Sequence, residues 1–210
     1  MFTTGFITLC WRKCARSVLW LVLAWAAALT PAWAQSGAVE FTQFKLEKTA
    51  DQLLLSSSVQ FELPAAVEDA LLKGVPVFFV AEVDIYRERW YWLDKKVAGP
   101  TRHMRLAFQP LTRRWRLGMG NGPLGANAQS SALNQNFETL AEALATIRRI
   151  SGWPVAELAE LEAGAKYRLD YRFYLDLSQL PRPLQIGALG QSDWNMNASL
   201  TQRLSLDNLK

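Results

Sequence analysis

The sequence predicts a mainly β (α+β) protein, an antiparallel β-sandwich-like domain carrying two or three short helices. Three observations predict it. Apolar residues recur at every second position in seven or eight separate segments, the period of a half-buried strand. The connections between the strand segments from Val75 to Met119 are short and hold glycine or proline, which implies an antiparallel meander there. Only two or three windows space their apolar residues like a helix.

Val39 to Glu47 reads as the first strand, with Val39 and Phe41 on one side and, after a slip, Phe44 and Leu46. Ala50-Asp51 turns the chain, and Gln52 to Leu63 follows with Leu53, Leu55, Val59, Phe61 and Leu63 on one face. Pro64 before and Gly74 after bracket a short helix, Ala65 to Lys73, because proline suits a helix start and glycine its exit. Val75 to Arg87 is the clearest strand. Val75, Val77, Phe79, Ala81, Val83 and Ile85 face one way, while the other face begins with Phe78 and Val80 and turns polar at Glu82, Asp84 and Tyr86. That strand is expected to start buried on both faces and emerge into water.

Arg89 to Val97, Arg102 to Gln109 and Arg113 to Met119 continue as strands, separated by Gly99-Pro100 and Pro110-Leu111-Thr112. Gly118 to Asn136 reads as a loop. A helix is expected next, capped by Asn136, with Glu138 in its first turn and Phe137, Leu140, Leu144, Ile147 and Ile150 on its core face. Pro154 to Leu161 reads as another short helix. Lys166 to Leu177 is a strand with Tyr167, Leu169, Tyr171, Phe173 and Leu175 on one side, broken by Pro181 and Pro183. A last strand is expected from Met196 to Leu206.

The first 34 residues stand apart from this pattern. Arg12, Lys13 and Arg16 precede an uncharged run from Ser17 to Leu29, and Ala32-Trp33-Ala34 offers a small-residue exit before Gln35. That order is a secretory signal, expected to be cut between Ala34 and Gln35, and the run is too short to span a bilayer comfortably. Residues 1–34 are thus a cleaved signal peptide and residues 35–210 a single β-rich domain, exported to the periplasm by the general secretory route. Both cysteines, Cys10 and Cys14, leave with the signal, which excludes disulfides and thiolate chemistry in the remainder. The exported part keeps 20 basic and 19 acidic residues, so its net charge is only +1 and nucleic acid is not an expected partner. It holds no second apolar stretch long enough for a transmembrane span.

Few residues suggest chemistry. His103 is the only histidine, and it reads as an exposed turn residue with no Gly-x-Ser-x-Gly nucleophile to serve. Gly120-Asn121-Gly122-Pro123-Leu124-Gly125 matches a dinucleotide fingerprint in letters only, since Pro123 stands where the helix should begin. Glu82 and Asp84 share a strand face, a separation compatible with paired-carboxylate catalysis but equally with the wet end of a strand. No cofactor, metal or catalytic residue is expected.

Charge is distributed unevenly. From Ile85 to Arg116 nine basic residues face only Glu88 and Asp94, a local +7, whereas residues 35–84 carry three basic and eight acidic. Arginines interleaved with Trp90, Tyr91, Trp92 and Trp115 suit contacts with phosphate or carboxylate, unless they pair with acids elsewhere in the fold. Arg87, Arg89, Trp92, Arg113, Arg114 and Arg116 are the candidate binding residues. Alternation places Arg114 and Arg116 on one face of their strand and Arg113 with Trp115 on the other.

Three segments in order carry a family resemblance: Arg87 to Trp92 with Asp94, then Leu111 to Leu117, then Leu175 to Gln185. After a signal peptide, they resemble the proteobacterial proteins grouped as domain of unknown function 4390, with Trp115 where a tyrosine is expected. The resemblance implies an exported protein of a Gram-negative bacterium with an accessory role beside an envelope sensor kinase and its response regulator. It brings no activity, ligand or catalytic residue. The expected function is a non-enzymatic interaction module meeting an acidic envelope protein or anionic lipid headgroups. The alternative is a carrier of a small apolar ligand or lipid, its cavity lined by Phe78, Val80 and residues 89–97.

Overall fold

The computed structural model of the protein describes residues 39–89, 93–122, 133–162, 164–188 and 194–206. In chain order these hold β1 (Glu40–Lys48), β2 (Gln52–Gln60), α1 (Ala65–Leu72), β3 (Val77–Arg87), β4 (Lys95–Ala98), β5 (Thr101–Gln109) and β6 (Arg114–Gly120). Then come β7 (Leu133–Phe137), α2 (Leu140–Arg148), β8 (Arg149–Glu157), β9 (Lys166–Asp176), α3 (Arg182–Ala188) and β10 (Asn197–Ser205). The fold is mainly β with three helices, built as two antiparallel sheets. The smaller has the order β1-β2-β8. The larger has the order β10-β9-β3-β5-β6-β7, with β4 pairing the far end of β3.

β3 lies at the centre of the larger sheet because its sequence suits burial on both faces. Val77, Phe79, Ala81, Val83 and Ile85 form its inner face and are all buried, and Phe78 and Val80 on the outer face are buried too. Tyr167, Leu169, Tyr171, Phe173 and Leu175 of β9 extend that inner face across the register pairs Ile85–Leu169, Val83–Tyr171 and Ala81–Phe173. The smaller sheet meets it with Leu53, Leu55, Ser57, Val59 and Phe61. Phe61, Phe79 and Phe173 stack with ring centroids 5.7 to 6.1 Å apart, filling the space between the sheets. The slip expected in the first strand is a bulge between Phe41 and Gln43. The helix expected over 65–73 is α1, whose exit is Gly74 at φ +81°.

Five expectations are corrected. Pro154 to Leu161 is not a helix. β8 covers Arg149–Glu157 and only a 3-10 turn, Leu158–Glu160, follows it. Gly152 at φ +57° resets the alternation so that Ile150, Trp153 and Val155 are all buried. Pro154 is tolerated because β8 is an edge strand, where a missing N–H breaks no ladder. Asn136 caps no helix. It belongs to β7, and Thr139 is the cap, its Oγ1 accepting from the Glu142 N–H at 3.3 Å. The loop expected over 118–136 is correspondingly shorter at both ends. Of the strand expected over 89–97, Lys95 to Val97 lie in β4, Arg89, Leu93 and Asp94 lie in no strand, and Trp90, Tyr91 and Trp92 lie outside the described residues. Pro181 and Pro183 end β9 but also open α3, since proline fits the first turn of a helix. The strands from β3 to β7 form the expected antiparallel meander, while β8 departs to the smaller sheet and β9 returns between β3 and β10.

Candidate functional site

The register of the larger sheet decides which charged residues can act together. Glu82 of β3 pairs with Thr101 of β5, and Val77 with Leu106, so β5 ends where β3 begins. Gln109 and the turn after it therefore reach past the start of β3 by three strand residues, about 10 Å. Arg87 closes the other end of β3, ten residues or roughly 33 Å away from Val77. Arg87 and Arg89 thus stand at one end of the sheet, and Arg113 and Arg114 at the opposite end. The five candidate binding residues that are described, Arg87, Arg89, Arg113, Arg114 and Arg116, therefore form no single site.

At the Arg87 end several cations are paired with carboxylates. Arg87 pairs with Glu162, Arg203 Nε lies 3.3 Å from Glu88, and Arg168 contacts Asp94 at 2.8 Å and Asp170 at 3.3 Å. The wet strand end expected at Asp84 is instead buried. Its carboxylate meets Lys96 Nζ at 2.6 Å and Arg172 at 3.5 Å, while Glu82 takes Arg172 at 3.1 Å. Asp84 holds the Lys96 ammonium above its ordinary pKa, against the lowering effect of burial. Glu82 and Asp84 therefore serve as counter-charges for β4 and β9. Arg89 is exposed and has no ion pair among the described residues. Trp92, and Ala34 and Gln35 at the expected cleavage point, lie outside those residues.

At the other end the hairpin of β5 and β6 is stiffened from inside. Phe108 and Trp115 are register partners with ring centroids 4.8 Å apart, and Trp115 and Leu117 are buried. Burying Trp115 turns Arg114 and Arg116 to the outer face, where both are exposed. Arg116 lies across from Ala107 and Asn136, and Arg114 across from Gln109, so no neighbouring strand offers a carboxylate in register. Arg113 departs from the expected alternation. It ends the turn Pro110–Arg113 at φ +51°, exposed, rather than pointing inward with Trp115. Among the described residues none of these three arginines has an ion pair.

His103 is on β5 and not in a turn. It faces outward opposite Val80, half-buried, with its Nδ1 lacking a hydrogen-bond partner among the described residues. Burial lowers its pKa, opposed by Asp176 and Glu82. Arg105, two residues on, has a buried Nε without a partner. Phe78 and Val80 stand on this same outer face, away from the space between the sheets where a carrier cavity was expected. Among the described residues no group of three or more His, Cys, Asp or Glu could hold a metal ion.

Several site-defining residues escape sequence reasoning. Leu111 at the hairpin apex is 101% exposed, a degree of exposure that its place in the expected Pro110-Leu111-Thr112 turn does not by itself give. Arg102 faces inward and stacks 5.0 Å over the Trp153 ring, with burial lowering its pKa. Arg148 bonds the Phe61 carbonyl at 2.5 Å and lies over its ring. These cross-sheet pairs depend on tertiary register, for which one strand's alternation carries no signal.

The family model described as Domain of unknown function (DUF4390) matches residues 36–204 of the chain. No curated protein and no solved structure gives a match.

Proposed function

The chain belongs to the DUF4390 family, a domain of unknown function, and from that premise we propose a non-enzymatic accessory module of the cell envelope that binds an anionic surface through the outer face of β6. The observation that carries this reading is the Arg114–Arg116 pair. Both are exposed, both lack a counter-ion among the described residues, and both are fixed by the buried Trp115 between them. Guanidinium groups on a rigid strand lose little freedom on meeting carboxylates or phosphates, which favours them over mobile lysines for such contacts. Export to the periplasm belongs to the same proposal. Its support is the basic, apolar and small-residue order of residues 12–34, and the family match that begins at residue 36, just past the expected cut.

The test is in-cell crosslinking of the tagged protein with an Arg114→Glu/Arg116→Glu variant as control. A specific envelope component captured by the wild type and lost in the variant, with a salt-sensitive interaction, is the expected outcome. Equal capture by the two proteins would remove the arginine strip from the binding surface.

A further inference from the structure

We infer that the anionic surface is a lipid bilayer, met by the end of the larger sheet at which β3 begins, with the β5–β6 turn seated among the headgroups. This inference rests on the proposed role of Arg114 and Arg116 and adds to it the partner and the depth of contact.

The apolar side of the argument starts at Leu111. It is 101% exposed at the apex of a hairpin that extends beyond its neighbours, with the exposed Pro110 before it and Arg113 and Arg114 after it. Two more of the exposed large apolar side chains lie at this same end. Leu72 closes α1, a few residues before β3 starts. Ile186 is on α3, which follows the C-terminal end of β9, itself paired with Phe78 near the start of β3. Gln185 Nε2 ties that helix to the carbonyls of Ser178 and Leu180 at 2.6 and 2.7 Å, so Ile186 stays near that end.

The cations complete the pattern. Lys73, Arg113, Arg114, Arg116 and Arg182 belong to the same three segments, and none has an ion pair among the described residues. Asp69 and Glu68, four and five residues before Lys73, and Asp176, six before Arg182, are the carboxylates nearest in the chain to those two cations, and among the described residues none of the three forms an ion pair. At the opposite end of β3 Arg87, Lys96, Arg168 and Arg203 are paired with carboxylates, which leaves Arg89 and Lys95 there without an ion pair among the described residues. Exposed apolar tips with unpaired cations beside them suit an anionic interface, where side chains enter singly and guanidinium groups remain at headgroup level.

The experiment is co-sedimentation with vesicles of phosphatidylcholine alone and of phosphatidylcholine with phosphatidylglycerol, using the protein in the form in which the cell accumulates it. Wild type and variants share one N-terminus, so differences between them report the domain. Wild type is expected to bind the anionic vesicles more tightly than the neutral ones. Leu111→Asp is expected to weaken that binding about tenfold or more, equivalent to roughly 1.4 kcal/mol, with an unchanged melting temperature because Leu111 is fully exposed. Arg113→Glu/Arg114→Glu should lower it further and flatten its salt dependence. Equal binding of Leu111→Asp and wild type, or equal binding to neutral and anionic vesicles, overturns the inference. Absence of vesicle binding, combined with an acidic protein captured in cells and lost in Arg114→Glu/Arg116→Glu, would overturn the bilayer while leaving the arginine strip as the binding surface.

Discussion

Tyr171 shows how a single polar atom is accommodated in an apolar interior. Its ring lies 4.9 Å from Phe41 and 5.9 Å from Phe44, binding β9 to the bulged β1. Its hydroxyl is 2.9 Å from Ser57 Oγ, and both residues are buried. Ser57 occupies the inward slot of β2 between Leu55 and Val59, a place where an apolar residue would ordinarily stand. The serine is intelligible only with its partner in view, 114 residues away. Tyr171→Phe should therefore destabilise the fold by about 1–3 kcal/mol, because it leaves a buried hydroxyl unpaired. Adding Ser57→Ala should recover most of that loss, since neither group then needs a partner. Urea denaturation of the two variants decides this, and a double variant no more stable than Tyr171→Phe would place the cost elsewhere.

At the scale of elements, the sequence is readable wherever one period runs unbroken between clear stops. β3 and β9 alternate without interruption, and α1 sits between Pro64 and Gly74, so all three are visible in the residues. β8 is not, because Gly152 shifts its alternation in mid-strand and Pro154 then imitates a helix start. The same logic hides α3, where two prolines that stop a strand also suit a first helical turn. Gly152 is the clearest place to test this account. It holds φ +57° with open space around an added Cβ, so substitution would meet backbone strain and no clash. Gly152→Ala should cost about 1–2 kcal/mol, and Gly152→Asn less, because asparagine tolerates the left-handed region better. Thermal denaturation gives the ranking. Equal stability of the alanine variant and the wild type would mean that β8 flattens without penalty.

For the molecule as a whole, charge is set by register more than by composition. Nine basic residues crowd residues 85–116, yet the register of β3 with β5 separates them along one sheet, with Arg87 and Lys96 paired at one end and Arg113, Arg114 and Arg116 without an ion pair among the described residues at the other. That division is invisible in the sequence because strand alternation assigns faces, while only the pairing of β3 with β5 assigns ends. The same arrangement fixes how stability responds to pH. His103 faces Glu82 of β3 and Asp176 and Tyr174 of β9, with Arg105 beside it on β5. Burial outweighs the two carboxylates and lowers its pKa below 6.5, so the unfolded chain binds more protons near that pH. Its contribution is complete above about pH 6.5 and declines as pH falls through that value. Asp176 acts in a lower window. Burial would raise its pKa, but hydrogen bonds from the Ser178 hydroxyl and N–H and from Gln179 bring it below 3.8. Its contribution holds above about pH 4 and is lost as pH falls through the folded value. Burial raises Tyr171 and Tyr174, and Asp84 raises Lys96, so their contributions hold below about pH 10 and are lost above it. Stability should form a plateau from about pH 7 to about pH 10, with its first decline on the acid side due to the lone histidine. Melting temperatures measured from about pH 7 to about pH 5 should fall in the wild type. In His103→Gln most of that fall should vanish, while the steeper loss below about pH 4 remains. Parallel curves for the two proteins across the upper window would show that another group titrates there.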